Sequence, residues 1–223
     1  SPEATEMLVL DTNGNLIDTW DGDLVPGRHG TTIAPDDSVY CVCQYRARID
    51  KFTPDGKLLM TISGEAPAFS GKPFNNPTDV GIDLRNGDLY ISDGYGNARV
   101  HKYTPDGRLL FSWGEPGTGP GQFNLVHNVD TDKDGWVYVA DRGNRRVQVF
   151  DPNGRFETQW VNMGPTAGLR VDTRGETRVY VTEYAGGVLD ETVGNLGPRV
   201  AIFDTRGNVI AKLGDESFGE EPG

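Results

Sequence analysis

The chain has 223 residues, with 33 acidic against 21 basic side chains and a formal net charge of −12. This charge opposes a phosphate backbone and no local cluster of Lys and Arg offsets it, so the composition disfavours nucleic-acid binding. No apolar run is long enough to cross a membrane. We therefore expect one soluble domain over residues 1–223 without a membrane partner, and the composition leaves cytoplasmic, secreted and periplasmic locations open.

One pattern, two alternating strands joined by a turn that contains glycine, recurs five times along the chain. It occupies Val9–Trp20, Lys51–Ile62, Lys102–Trp113, Val149–Trp160 and Ile202–Leu213. Glycine supplies the positive φ of a tight hairpin turn. The turn glycines follow one another at spacings of 42, 51, 47 and 53 residues, at Gly14, Gly56, Gly107, Gly154 and Gly207. A period of about 40 to 50 residues with four strands per unit predicts the blades of a β-propeller.

An inner pair of strands precedes each of the last four hairpins. This gives blades at about 28–62, 77–113, 126–160 and 165–213, after a lone outer hairpin at 7–20. We expect an all-β chain of about four and a half blades, without any helix longer than about three turns. The tail 214–223 resembles the loop 114–121 that leads into an inner pair. Because propellers close their ring, we expect a piece of a longer propeller, most simply one of six blades.

Alternation along the inner strands predicts which side chains lie between blades. These apolar residues are Val80, Ile82, Leu89, Ile91, Val137 and Val139. Cys41 and Cys43 lie two apart on one strand and face the same side, which is poor geometry for a disulfide between them. We expect core or edge thiols, and the redox compartment stays open.

The first inner strands align by their entry residues, which places His29, Thr78, His127 and Thr166 in one slot. Equivalent slots surround the central channel of a propeller. Histidines on alternate blades of a six-bladed ring would meet on its axis, with a third due in the following blade. Three imidazoles and one open position describe a catalytic zinc site. The alternative is that these histidines cap backbone groups where loops enter strands.

Two further side chains lie near the expected axis. Tyr95 and Arg142 occupy equivalent loops on consecutive blades, within SDGYGN and ADRGNR. An arginine can hold a carboxylate and a tyrosine can exchange a proton, although both residue types are also ordinary at a surface. His101 lies in the middle of a strand, where a structural role is expected.

Four segments carry a resemblance to a known family: Pro77–Val80, Ser92–Arg99, the run from Gly121 to His127, and Ala140–Arg142. Together they resemble the lyase domain of peptidylglycine α-amidating enzymes and its bacterial homologues, which are built from NHL repeats. The likeness covers essentially the whole chain and is strongest over 74–150. It implies a six-bladed propeller that holds Zn²⁺ through three histidines. It also implies cleavage of a peptidyl-α-hydroxyglycine to a peptide amide and glyoxylate.

Residue by residue, the resemblance implies that His29 and His127 are zinc ligands and that Tyr95 and Arg142 are catalytic. It further implies that the backbone carbonyl of Thr31 binds a structural Ca²⁺. The family's third zinc histidine, the aspartate beside it and a second arginine have no match in this sequence. The family also has Pro-His where this chain has Arg-His and Val-His.

Two other functions stay open at this point. The first is a non-catalytic NHL propeller that binds a protein or peptide on one face of the ring. The second is a calcium-dependent lactonase, for which Asp79 in the channel is the candidate carboxylate ligand. A small-molecule or peptide substrate is expected whether the enzyme is the lyase or the lactonase.

Overall fold

The computed structural model describes residues 7–20, 24, 27–183 and 198–214. Within these ranges there is no α-helix, and two single-turn 3-10 helices lie at Gln44–Arg46 and Arg142–Asn144. The strands are β1 (Met7–Leu10), β2 (Leu16–Trp20), β3 (Arg28–Ile33), β4 (Val39–Cys43), β5 (Arg48–Phe52), β6 (Leu58–Ser63), β7 (Pro77–Ile82), β8 (Leu89–Asp93), β9 (Arg99–Tyr103), β10 (Leu109–Trp113), β11 (Val126–Thr131), β12 (Val137–Asp141), β13 (Arg146–Phe150), β14 (Phe156–Trp160), β15 (Thr166–Asp172), β16 (Arg178–Glu183), β17 (Arg199–Phe203) and β18 (Val209–Leu213).

These strands form four four-stranded antiparallel sheets, each with its strands in chain order, and one two-stranded sheet of β1 and β2. The first strands of consecutive sheets are neighbours in space: β3 lies beside β7, β7 beside β11, and β11 beside β15. The last strand of each sheet lies at its outer edge. The expected all-β propeller is confirmed. The tail beyond Gly214 and the segment 184–197 of the last blade lie outside the described residues. No helix in the described part of the chain is long and apolar enough to cross a membrane.

The core lies between neighbouring sheets. Side chains alternate along each strand, so that Leu89 and Ile91 pack against the preceding sheet while Tyr90 packs against the following one. The six side chains expected between blades are all buried. Burying a Leu or Ile side chain contributes about 1.5–3 kcal/mol, so these interfaces hold the blades together.

Tryptophans at the ends of outer strands lock each blade to the next. In each case the indole ring packs on the turn glycine of the following outer hairpin. The pairs are Trp20 with Gly56, Trp113 with Gly154, and Trp160 with Gly207. The glycines have φ values of 75 to 84°, where a side chain is strained, and an added Cβ would meet the ring within 3.1 Å. Ile62 occupies the same position against Gly107.

A buried carboxylate at the end of the second strand fastens the loop that enters three of the sheets. It accepts the backbone N–H of a residue just before the inner strand. The pairs are Asp93 with Asn75, Asp141 with Asn124, and Glu183 with Gly164. A charged acceptor makes this hydrogen bond stronger than a neutral one would be. The entry loops of these three blades are therefore held in place.

In the first four-stranded blade, the equivalent position holds Cys43. Cys41 and Cys43 are both free and fully buried, as expected for core thiols. Burial raises the pKa of Cys41 to about 12 and that of Cys43 to about 11. Neither thiol is therefore ionised near neutral pH, and both are inert packing groups.

Candidate functional site

The first strand of each four-stranded sheet begins with a β-bulge, and two of these bulges carry the candidate histidines His29 and His127. The residues left out of the pairing ladder include His29, Thr78, His127 and Ala167. A bulge re-aims a side chain relative to a regular strand. The alignment that placed Thr166 in this slot was wrong by one residue. Thr166 pairs with Glu183 in the ladder and its side chain is buried, so the bulged position in the last blade is Ala167.

Tyr95 lies on the loop after β8, between two glycines that allow close backbone contacts. A Cβ at Gly94 would lie 1.7 Å from the carbonyl oxygen of Val126, and a Cβ at Gly96 would lie 1.6 Å from Oδ1 of Asn75. No other residue type fits at such distances. Because both positions are glycine, the Tyr95 loop packs directly against the start of β11 and the entry loop of β7.

The phenolic oxygen of Tyr95 lies among three polar side chains. It is 3.2 Å from Nε2 of His29, 3.1 Å from Nε2 of His127, and accepts a hydrogen bond of 3.2 Å from Nη1 of Arg142. Arg142 begins the 3-10 turn after β12, and its backbone N–H donates to the Leu125 carbonyl. We call these four side chains the Tyr95 cluster. The structure thus brings together the four side chains that the sequence pointed to.

The tautomer of His29 follows from its neighbour on the next inner strand. Nδ1 lies 2.8 Å from the Thr78 carbonyl oxygen, which can only accept. Nδ1 therefore carries the proton, and the Nε2 lone pair is directed at Tyr95. Burial lowers the pKa of His29, and the Arg142 charge acts in the same direction against the opposing Thr78 bond. The imidazole is neutral near pH 7.

His127 is oriented through a longer chain of hydrogen bonds. Its Nδ1 lies 3.0 Å from Oδ1 of Asn128, and Nδ2 of the same amide donates to Asp79 over 2.7 Å. The same oxygen, Oδ2 of Asp79, also accepts from the backbone N–H of Val129 at 3.5 Å, so it is an accepting oxygen and the NH₂ end of the amide faces it, which leaves Oδ1 facing His127. Nδ1 is again the protonated nitrogen and Nε2 is free to accept. Burial lowers the pKa of His127, with smaller contributions in that direction from His29 and Arg142.

Asp79 is a buried carboxyl beside the channel. Burial raises the pKa of Asp79 to about 7, and the Asn128 bond opposes this shift. Its Oδ2 accepts from the Asn128 side chain at 2.7 Å and from the backbone N–H of Val129 at 3.5 Å. The sequence proposed Asp79 as a calcium ligand of a lactonase, but its geometry makes it a support for the His127 side of the Tyr95 cluster.

His101 does not join the cluster. It is fully buried on β9, where its ring nitrogens lie 2.7 Å from the Ser112 hydroxyl and 3.0 Å from the Asp93 carboxylate. This agrees with the structural role expected from its position in the strand.

The two site histidines present the donor atoms that zinc takes. Their ring centroids are 4.8 Å apart, and neutral imidazole Nε2 with Nδ1–H on an oxygen acceptor is the arrangement common at zinc sites. These residues fit two of the three histidine positions. The described ranges contain no group of three or more His, Cys, Asp or Glu side chains able to hold a metal. Thr31 is exposed on β3, opposite Cys41 in the ladder, and its calcium role stays a prediction.

Comparison of the sequence with known proteins agrees with the repeat architecture. Residues 74–103 match the NHL repeat model. The chain is 32% identical to peptidyl-alpha-hydroxyglycine alpha-amidating lyase 1 of Drosophila melanogaster over 173 residues, which cover 72% of this chain and 32% of the fly protein. It is 46% identical to human NHL repeat-containing protein 3 over 120 residues, 51% of this chain and 34% of that protein. The chain spans about a third of the length of these curated relatives.

Solved structures agree on the fold. A streptogramin B lyase structure matches 95% of this chain and 62% of its own, with a TM-score of 0.67 at 14% identity. A catalytically inactive virginiamycin B lyase from Staphylococcus aureus matches with a TM-score of 0.65 at 15% identity, over 95% of this chain and 63% of its own. This chain is an NHL-repeat β-propeller. Among such propellers, it resembles the peptidyl-α-hydroxyglycine α-amidating lyases.

Proposed function

We propose that this chain forms the catalytic part of a zinc-dependent lyase, which cleaves the C–N bond of a peptidyl-α-hydroxyglycine-like substrate to an amide and glyoxylate. The observation that carries the proposal is the Tyr95 oxygen, within hydrogen-bond distance of two imidazole Nε2 atoms and one guanidinium. A purely structural tyrosine would not require two neutral histidines and a cation around its hydroxyl.

Arg142 binds the anionic end of the substrate. Its guanidinium is partly exposed and donates to the Tyr95 oxygen, so a substrate carboxylate held there would lie beside the reacting groups. Arg142 also faces any negative charge that develops on the tyrosine oxygen. One side chain thus serves orientation and charge stabilisation.

Tyr95 moves the proton in this scheme. As the phenolate, it accepts the proton of the substrate hydroxyl while the C–N bond breaks and its electron pair goes to the amide nitrogen. The same proton then passes from Tyr95 to that nitrogen. The hydroxyl-bearing carbon becomes the aldehyde of glyoxylate, and no proton is gained or lost overall. Such transfer by a positioned side chain contributes about 10²–10⁴-fold in rate.

His29 and His127 would hold the zinc ion through Nε2, with Thr78 and Asn128 fixing the ring orientations. When bound, the metal would supply a Lewis acid that favours loss of the hydroxyl proton. The neutrality of both imidazoles near pH 7 suits them as ligands. The Ca²⁺ contact at the Thr31 carbonyl is retained in this proposal as a structural site.

Glyoxylate release from N-benzoyl-α-hydroxyglycine by the full-length protein tests the proposal. Tyr95→Phe removes the proton carrier but keeps the ring, so kcat should fall by about 10²-fold or more while bound zinc is unchanged. Tyr45→Phe is the matched control. Tyr45 lies on the 3-10 turn that follows β4, and 78% of its surface is exposed. Equal turnover by the Tyr95→Phe variant and the unmodified protein would refute the role of Tyr95.

A non-catalytic binding propeller is the second candidate. The similarity that favours it is the 46% identity to human NHL repeat-containing protein 3, whose name records only the repeat. Zinc content separates the two functions, because a binding face has no need of the two Nε2 atoms. Purified protein without zinc and without glyoxylate release would favour the binding propeller over the lyase.

A further inference from the structure

A cavity of about 380 Å³ opens beside Tyr95, between the loop after β6, the loop after β8 and the loop after β10. Its apolar lining comes mainly from Phe69, Ala98, Pro116, Phe123 and Leu125. Tyr95 belongs both to this lining and to the Tyr95 cluster. Among the residues that the structure describes, no charged side chain lines the cavity. The space next to the reacting groups is therefore suited to an uncharged, apolar group.

The walls of the cavity are held in place by one buried arginine and by a backbone hydrogen bond. Arg146 is 4% exposed and donates to the carbonyl oxygens of Thr118, Gly119 and Gln122 at 2.7 to 2.9 Å. These bonds fix the loop after β10. On the opposite side, the backbone N–H of Phe69 donates to the carbonyl of the glycine after Tyr95, over 2.9 Å. The cavity is thus preformed.

Backbone strain marks the same place. Phe69 has a φ of 57° and Leu125 a φ of 63°, in the left-handed region that large apolar residues rarely adopt. Among the described residues they are the large apolar side chains with positive φ, and both line this cavity. Phe69 also leaves 68% of its surface exposed at the rim. Strain of this kind persists where surrounding structure enforces it and is concentrated at functional sites.

We propose that this cavity binds the apolar side chain that precedes the α-hydroxyglycine, and that an aromatic group fills it best. This inference rests on the proposed lyase function. Arg142 would hold the carboxylate and is not part of the cavity lining, so the amide side of the substrate leads away from Arg142. The cavity shares Tyr95 with the reacting centre, and its described lining holds no opposite charge for an acidic or basic side chain.

Substrate selectivity tests the cavity. We would compare acetyl-Phe-, acetyl-Ala- and acetyl-Asp-α-hydroxyglycine on the full-length protein. The Phe substrate should exceed the Ala substrate in kcat/KM by about tenfold or more, and the Asp substrate should be poorer than both. Phe69→Ser should lower the ratio of kcat/KM for the Phe substrate to that for the Ala substrate several-fold. Tyr45→Ser, which also removes an exposed aromatic ring from a blade-end loop, should leave this ratio unchanged.

A binding measurement separates the two proposals. Calorimetry with acetyl-phenylalanine amide and acetyl-alanine amide needs no catalysis. The Phe amide should bind at least tenfold more tightly than the Ala amide, and the Phe69→Ser variant should lose this difference in affinity. Turnover of all three substrates at similar kcat/KM would refute the proposed role of the cavity and would leave the proposed lyase activity standing. Absence of any turnover would refute the proposed lyase activity. The calorimetry would then test the cavity by itself, because equal affinities for the two amides would refute its role as a site for the apolar side chain.

Discussion

Replacing Gly94 by alanine would separate the two halves of the Tyr95 cluster. An ideal Cβ at this position lies 1.7 Å from the carbonyl oxygen of Val126, 2.5 Å from its carbonyl carbon and 2.7 Å from its nitrogen. Carbon atoms in ordinary contact stay about 3.5–4.0 Å apart, so the two backbones must move apart by roughly 1.5 Å or more. The obstructing atoms belong to the backbone of β11 and cannot rotate away.

Both moving segments carry cluster residues. Gly94 directly precedes Tyr95, and Val126 directly precedes His127, whose Nε2 lies 3.1 Å from the Tyr95 oxygen. Overpacking of a well-packed interface costs about 1–3 kcal/mol, and we expect at least that loss in the free energy of unfolding. Misplacement of reacting groups by about 1 Å can lower turnover about 10²-fold. We therefore expect both stability and glyoxylate release to fall.

Gly175→Ala is the matched control, because a Cβ at Gly175 meets nothing within 4 Å. Its free energy of unfolding should stay within about 0.5 kcal/mol of that of the unmodified protein. Urea denaturation measures stability in both variants, and the glyoxylate assay reports on the site. If Gly94→Ala unfolds at the same urea concentration as Gly175→Ala, the Tyr95 loop does not press on β11 as described.

The fold was accessible from sequence because its signals are local. Alternation within single strands and glycines at hairpin turns need no knowledge of distant partners, and the spacing of Gly56, Gly107 and Gly154 alone indicated blades. The buried side chains between sheets followed from the same alternation. The tryptophans that pack on those glycines were visible in the sequence at the strand ends, but their contacts lie between blades and could not be derived.

The members of the Tyr95 cluster were found because they occupy equivalent positions in a repeat. Register is a different matter, because the Pro165-Thr166 pair repeats Pro77-Thr78 in sequence, whereas the pairing ladder begins at Pro77 in one blade and at Thr166 in the other. The assignment of Thr166 to the slot of His127 therefore failed by one position, and only the pairing with Glu183 reveals Ala167 there.

Support for the cluster was missed for a related reason. Asn128 and Asp79 are 49 residues apart and come from neighbouring blades, so no local pattern links them. Asn128 next to a candidate ligand was the one available signal. An amide beside a histidine can orient the ring, but only the Asp79 oxygen on the preceding blade fixes which way the amide faces.

Two further predictions concern the packing between blades and the buried carboxyl. Gly154→Ala and Gly14→Ala both place a side chain at positive φ, but only the first meets a ring, at 2.9 Å from Trp113. Gly154→Ala should therefore lose about 1–3 kcal/mol more in urea denaturation than Gly14→Ala, and equal losses would show that the indole does not pack there. For Asp79, burial raises the pKa from 3.8 to about 7, while the nearby Asp130 carboxylate adds to the rise. The native state then keeps a proton that the unfolded chain releases near pH 4, so the contribution of Asp79 to stability is fully present below pH 4 and is lost as pH rises through 7. Asp79→Asn keeps an acceptor for the Asn128 amide and cannot ionise. The free energy of unfolding of the unmodified protein, relative to this variant, should fall by about 1.4 kcal/mol per pH unit within that window, up to a few kcal/mol. Parallel pH profiles for the two proteins would mean that Asp79 ionises as freely in the native channel as in the unfolded chain.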